Sequence, residues 1–390
     1  MIEIKHKKDC CGCHACASVC AHRAITMQAD SEGFLYPVVD KSMCTDCGLC
    51  KQVCPVIHQP SPIQPLKVYA ARSNDEELRR QSSSGGIFTL LAEAVIREGG
   101  VVFGAKFDEK WNVIHSWTET LDGLAAFRGS KYVQSTIGST YKEVKEFLCQ
   151  GRKVLFTGTP CQIAGLKRYL RKEYDNLLTV DVICHGVPSP LVWQKYIEEM
   201  SIKGSVTSIS FRDKTHGWAQ YACSLSYLEP SFEASTSSKV HTLLMPRSAN
   251  VFMRGFLADL YLRPSCHSCP ARCGKSCSDI TLGDFWGIQK VHPEMNDDKG
   301  CSAVLIHSTK GQVLYNALDK DDVESNYGYL LPENPSLVQD PKSTCYVRKF
   351  WKQFARQGLG CILPICIQKD NWNLKKQYFK IKRTLLGLLK

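Results

Sequence analysis

Cys10-Cys11-Gly12-Cys13-His14-Ala15-Cys16-Ala17-Ser18-Val19-Cys20 and, after a spacer, Cys44-Thr45-Asp46-Cys47-Gly48-Leu49-Cys50-Lys51-Gln52-Val53-Cys54-Pro55 carry one spacing twice, C-x2-C-x2-C-x3-C. The spacing lets three thiolates from one tight loop reach a common iron-sulfur cube, while the fourth is carried on a helix to the neighbouring cube.

Two such runs make a two-cluster ferredoxin. In that arrangement Cys10, Cys13, Cys16 and Cys54 hold one 4Fe-4S cluster, and Cys44, Cys47, Cys50 and Cys20 hold the other. Pro55 follows the second run as the motif requires, whereas Ala21 stands in the first. Zinc is the competing reading of any C-x2-C pair, but zinc sites seldom use a third cysteine three residues on. A disulfide framework fits less well, because thiols this dense suit a reduced compartment. Cys11 falls outside the register and reads as a bystander.

The chain has 390 residues, 21 of them cysteine, and a formal charge of +11. It is too long for a ferredoxin alone and leaves room for larger domains with a real core. Met1 to Asp9 is charged and lacks the apolar stretch of a signal peptide, so the expected compartment is the cytoplasm. No apolar run reaches the length of a membrane span. Lys and Arg are scattered rather than gathered in a stripe, and bound clusters would add negative charge, so no nucleic-acid role is expected.

Gln59-Pro60-Ser61-Pro62-Ile63-Gln64-Pro65 cannot continue a helix and reads as a stiff linker. Beyond it, Ser82-Ser83-Ser84-Gly85-Gly86 leads into Ile87, Leu90, Leu91, Ala94 and Val95, whose spacing predicts one helical face, and Val101-Val102-Phe103 predicts a buried strand. A serine and glycine loop opening a helix presents bare N–H groups to a phosphate, although a plain helix cap looks the same. The unit repeats. A helix over about 141–148 precedes strand Val154-Leu155-Phe156, and Thr157-Gly158-Thr159-Pro160-Cys161 turns into a helix through Leu170. Strand Leu178 to Ile183 then ends in Cys184-His185-Gly186, and Pro188-Ser189-Pro190 begins another helix. Such alternation argues for a mostly parallel sheet covered by helices, with sites at the C-terminal strand ends, where Cys161 and Cys184 fall. From Val206 the pattern changes to alternating strands, Val206 to Arg212 and Gln220 to Tyr227. A surface loop over 231–239 and a helix near 250–257 follow.

Cys266, Cys269, Cys273 and Cys277 form a second concentration of thiols. Either these four bind a metal among themselves, or Cys266 and Cys269 join Cys161 and Cys184 around a third cluster; spacing leaves both open. Ser84-Gly85-Gly86, Gly129-Ser130-Lys131-Tyr132, Gly158-Thr159-Pro160-Cys161, Cys184-His185-Gly186 and the run Asp279 to Gly287 together resemble the family of beta subunits of coenzyme F420 hydrogenases and dehydrogenases. The resemblance runs in order from about Val68 to His307. It implies an α/β flavoprotein domain that binds FAD, with a third 4Fe-4S cluster on Cys161, Cys184, Cys266 and Cys269. Cys273 and Cys277 depart from the family pattern and keep the local quartet in play. The resemblance also places Ser84, Gly85, Gly86, Lys131, Tyr132, Thr159 and Pro160 on the FAD. There a lysine can pair with pyrophosphate or with the reduced ring's charge. His185 is a candidate acid or base, or a hydrogen-bonding residue that orients its loop. Asp284, Phe285 and Trp286 line the flavin pocket or form a turn with a packed aromatic pair.

The expected organisation is a small α+β dicluster ferredoxin domain (1–58), a proline-rich linker (59–66), an FAD and 4Fe-4S binding α/β domain (67–320), and a helical, basic tail (321–390). The tail's Lys375 to Lys390 segment is amphipathic and suited to docking on protein or to peripheral membrane contact. Two functions follow. One is an FAD-dependent oxidoreductase exchanging electrons between a small-molecule substrate and the clusters. The other is an electron-transfer subunit serving a redox partner protein.

Overall fold

The computed structural model describes residues 1–229 and 239–366. The loop expected over 231–239 therefore falls almost wholly, and the amphipathic segment from Lys375 entirely, outside the described residues. Among the described residues no helix is long and apolar enough to cross a membrane.

Each cysteine loop of the N-terminal region runs into a short helix, Ala15–Val19 and Leu49–Gln52, entered through a left-handed residue, His14 and Gly48. Between them lies a hairpin of strands β1 (Ile25–Ala29) and β2 (Leu35–Val39), paired antiparallel. The helices keep one end of the hairpin supplied with thiols, which is what the crossed ligand pattern needs.

The main body is an eight-stranded sheet. Its strands are β3 (Lys67–Ser73), β4 (Val101–Phe107), β5 (Val113–Thr118), β6 (Val154–Gly158) and β7 (Leu177–Val182), and later β11 (Ile280–Asp284), β12 (Ser302–Ile306) and β13 (Lys320–Ser325). The order is β13-β3-β12-β11-β7-β6-β4-β5. The four central strands, β11, β7, β6 and β4, run parallel, and the flanks are antiparallel. The parallel expectation thus describes the centre, where helices follow strands; the flanking strands complete the sheet. Val101, Val102 and Phe103 are fully buried, as are Val154, Leu155 and Phe156. Such continuous apolar runs belong to strands covered on both faces, and each buried side chain is worth roughly 1.5–3 kcal/mol. A second, three-stranded antiparallel sheet contains β8 (Ser205–Asp213), β9 (Ala222–Leu228) and β10 (Val240–Pro246).

Helix Ile87–Arg97 buries Ile87, Leu91 and Val95, one face at spacing four, against the sheet. Helix Pro160–Leu170 starts with proline at its first turn under a reciprocal Thr159–Gln162 cap. Residues 320–325, which the expected division assigns chiefly to the tail, are the edge strand β13, paired with β3. The helix Val347–Cys366 breaks at Gly358, whose φ is 66°. Its Phe350 and Phe354 pack on the core beside Tyr261 and Phe252.

The ferredoxin region shares a core with the body. Cys11, Cys13, Ala15 and Val53 pack with Tyr141, Ile163 and Leu166. At Gly165 a Cβ would lie 2.8 Å from the Cβ of Cys13, so only glycine lets this helix approach the cysteine loop so closely. The segment 59–66 also packs on the body: Ile63 N–H donates to Cys273 O and Leu66 N–H to Ile306 O.

Candidate functional site

Cys10, Cys13, Cys16 and Cys54 line one cavity of about 320 Å³, whose walls include Ile2, Ile4, Met27 and Val56. Cys54 lies just past the end of helix Leu49–Gln52, so the second run supplies the fourth thiol beside the first triplet. Burial among its neighbours pushes the Cys16 thiol up to about 12. Thiols in such surroundings ionise only when a metal takes the proton's place. The other set is open: Cys47 is exposed, Cys44 and Cys20 are half-buried, and only Cys50 is buried. The backbone N–H of Ile2 donates to Cys50 Sγ at 3.2 Å. Apolar walls, thiols and an N–H···S bond are the surroundings a cube requires.

The strand ends build a second thiol-lined space. Cys161 follows β6, Cys184 follows β7, and Cys266 and Cys269 lie on the turn Pro264–Ser268 and just after it. All four border one cavity of about 780 Å³, partly open to solvent, together with Cys11 and Cys273. Burial, followed by the neighbouring thiols Cys266, Cys161 and Cys269, holds Cys184 well above its ordinary range. Burial raises Cys266 to about 12 and Cys269 to about 11. The thiols surround a space instead of meeting at a point. Among the described residues no three His, Cys, Asp or Glu side chains are packed closely enough to hold a single metal ion. A cube, with its irons at separate corners, needs thiolates set further apart. Cys277 does not border this cavity; the charges around it are those of Lys167, Glu173 and Arg168.

Cys11, outside the ligand register, lies between the two thiol sites. It is 4% exposed and borders both cavities. The neighbouring Cys13 thiol, burial and the Cys10 thiol hold its own thiol well above the ordinary range.

Of the residues assigned to the flavin, Ser84, Gly85, Gly86, Lys131 and Tyr132 gather at the loop Ser82 to Gly86. Ser83 Oγ accepts from Ser130 N–H at 2.7 Å, which draws the loop of Lys131 and Tyr132 against it. Gly86, at φ 90°, starts an eleven-residue helix without a side-chain cap. Gly85 has a more local reason to be glycine, since a Cβ would meet Ala71 O at 2.4 Å. Ser84 Oγ donates to Cys301 O at 2.9 Å. The Lys131 ammonium reaches the carbonyls of Arg128 and Gly129 at 3.0 and 3.1 Å, and burial pulls it down to about 7. The Tyr132 ring stacks on Phe256 at 5.1 Å and meets Phe211 edge-on.

Two cations join this loop from β8 and the turn after it. Arg212 is buried, forms a forked pair with Asp284 at 2.6 and 3.1 Å, and donates to Ser83 O at 3.2 Å. It also faces the Tyr221 ring at 4.0 Å. Lys214 donates to Ser84 O at 3.2 Å and Lys299 O at 2.7 Å, and burial lowers it to about 8. Sequence reading placed both only within a strand-and-turn pattern, because a lone cation carries no motif. With Lys131, they leave the loop with more positive than negative charge, which fits an anionic cofactor group.

The remaining assignments resolve locally. His185 Nε2 lies 2.6 Å from Asp259 Oδ1, and its ring sits edge-on to Phe256, so it ties two loops together. Asp284 also accepts from Trp218 Nε1 at 2.9 Å. The packed aromatic pair is Trp286 with Trp218, stacked at 4.5 Å, and Phe285 is wholly buried in the same core cluster. Thr159 caps its helix, with Oγ1 3.3 Å from Cys161 Sγ, and Pro160 borders the thiol cavity.

Paired cysteine loops and a strand-edge thiol site on an α/β sheet define an iron-sulfur protein of the electron-transferring oxidoreductase type. Three family profiles match: the 4Fe-4S dicluster domain over residues 9–57, and two for coenzyme F420 hydrogenase/dehydrogenase, beta subunit, its N-terminal part over 68–142 and its C terminus over 151–326. The chain belongs to the family of coenzyme F420 hydrogenase/dehydrogenase beta subunits. It is 23% identical over 198 residues to one of the subunits of the F420H2 dehydrogenase of Methanosarcina mazei, a match covering 47% of this chain and 55% of the relative. It is 24% identical over 205 residues to a coenzyme F420-dependent sulfite reductase of Methanocaldococcus jannaschii, covering 50% and 30%. The chain thus spans about half and a third of these relatives. A chain of the F420-reducing [NiFe] hydrogenase complex from Methanosarcina barkeri aligns over 76% of this chain and 91% of its own, at 20% identity and a TM-score of 0.46.

Proposed function

We propose that this protein is an FAD-dependent iron-sulfur oxidoreductase that passes electrons between an organic substrate or coenzyme and three 4Fe-4S clusters. The observation that carries this is the contiguity of its thiol sites: the ferredoxin cavity and the strand-edge cavity share Cys11 as a wall. Bound clusters supply one-electron transfer, and a flavin supplies the exchange between electron pairs and single electrons.

The chain's own residues set the terms. Cys10, Cys13, Cys16 and Cys54 hold the inner ferredoxin site, Cys44, Cys47, Cys50 and Cys20 the outer one, and Cys161, Cys184, Cys266 and Cys269 the third. Ile63 and Pro65 cover one side of the third site. Ser83, the helix after Gly86 and the cations Lys131, Arg212 and Lys214 are the candidates to hold the flavin's anionic groups. The cytoplasm is the proposed compartment, since it keeps such thiols reduced. The relatives' names make coenzyme F420 the first substrate to try. The exposure of Cys47 favours a redox partner protein at the outer end, which is how an electron-transfer subunit would also work.

Iron, acid-labile sulfide and extractable flavin measured on one anaerobic preparation test this reading. About twelve irons with one FAD per chain is the expected result. About eight irons without flavin would leave a ferredoxin and overturn the flavoenzyme.

A further inference from the structure

Four arginines are buried among the described residues: Arg79, Arg212, Arg263 and Arg272. Three are neutralised by carboxylates, Arg79 by Asp297, Arg212 by Asp284 and Arg272 by Asp340. Arg263 is the most buried, at 1% exposure. Its partners among the described residues are all neutral: Nε donates to Cys10 O at 2.8 Å, Nη1 to Gln134 Oε1 at 2.9 Å and Nη2 to Leu35 O at 2.9 Å. The guanidinium lies 4.4 Å from the ring centre of Tyr36 and 5.4 Å from that of Phe34.

A buried charge without a counter-charge is strongly unfavourable, so proteins either pair it or bring negative charge to it. Thiols are what surround Arg263. Nη2 is 3.5 Å from Cys10 Sγ, and the side chain also borders the cavity of Cys161, Cys184, Cys266 and Cys269. It therefore stands between the inner ferredoxin site and the third site, whereas the residues it touches include none of Cys44, Cys47, Cys50 and Cys20. A reduced cluster carries one more negative charge than an oxidised one. A fixed cation in a poorly polarisable interior, and an N–H···S bond to a ligand, both favour the more negative state.

We propose that Arg263 is the counter-charge for the thiolate sites on either side of it and raises the reduction potential of the inner ferredoxin cluster relative to the outer one. Gln134 helps aim it, accepting from Nη1 while its own Nε2 donates to Cys11 O at 3.0 Å. Among the described residues no guanidinium contacts an outer ligand; Cys50 Sγ receives only the backbone N–H of Ile2. The two halves of the ferredoxin motif, alike in sequence, are thereby made unlike in potential.

The proposal rests on the ferredoxin reading above and is tested by EPR-monitored redox titration of the full anaerobic chain. Wild type, Arg263→Met and Arg263→Lys are compared, with Cys47→Ser identifying the outer signal. In Arg263→Met reduction of the inner cluster is expected to become about tenfold less favourable, ~59 mV for a one-electron couple, while the outer signal stays. Arg263→Lys, which keeps the charge but loses the fork, is expected to show part of that fall. An unmoved inner potential at full iron content in both variants overturns the proposal, as does an equal movement of both signals. If Arg263→Met loses the inner cluster, Arg263→Lys decides on the same criterion. A wild-type chain that takes up no iron overturns the ferredoxin reading itself, and is recognised before any variant is titrated.

Discussion

The two halves of the ferredoxin motif share a spacing and differ in almost everything else. The inner set, Cys10, Cys13, Cys16 and Cys54, lines one apolar-walled cavity, and Cys13 packs into the core of the α/β body. The outer set, Cys44, Cys47, Cys50 and Cys20, holds one exposed and two half-buried thiols. One half is joined to the body's structure; the other faces solvent and any protein that docks there. Ligand spacing thus defines what can be bound, while the surroundings define to what it is connected.

Removing one ligand from each half gives the largest contrast. Cys54→Ala and Cys47→Ala are each expected to cost about four irons per chain, counted after anaerobic reconstitution. Only Cys54→Ala is expected to lower the melting temperature of the whole protein strongly, because metal binding at the inner site is linked to folding of the shared core. Equal melting temperatures would break the distinction.

Glycine substitutions probe the same contrast without removing a ligand. Gly165→Ala forces a Cβ to within 2.8 Å of Cys13 and is expected to destabilise by about 1–3 kcal/mol in urea unfolding. Gly48→Ala, at φ 75° beside the outer set, meets no atom within 4 Å and is expected to lose only the left-handed backbone preference, about 1 kcal/mol. A larger loss at Gly48 would mean that the outer loop is as tightly held as the inner one.

A contrast of another kind lies at the flavin side of the body. Burial holds Lys131 down to about 7, so its ammonium is lost as pH rises through that value in the absence of a bound anion. Anion binding favours the protonated lysine. FAD affinity is therefore expected to fall with rising pH above about 7, by up to about tenfold per unit, and to lose this dependence in Lys131→Gln. Flavin fluorescence titration between pH 6 and 9 measures it, on the order of 1.4 kcal/mol per unit. A flat wild-type profile would remove Lys131 from the flavin site.

How much of this was legible beforehand depends on how far apart in the chain the interacting groups stand. The twice-repeated cysteine spacing, the helix after Gly86, the helix opening at Pro160 and the alternation around β6 and β7 are local patterns, and each has its reason within a few residues. Sequence reading by itself therefore determined the ferredoxin region, the central strands and the strand-edge positions of Cys161 and Cys184. Only the tertiary structure decided that Cys11 joins two thiol cavities, that Cys273 borders the third site and Cys277 does not, and that Gly85 is glycine because of Ala71. It alone singled out Arg263, 253 residues from the Cys10 it touches, as a buried cation without a carboxylate. Burial and charge neutralisation are sums over everything packed around a group, and no spacing along the chain encodes them.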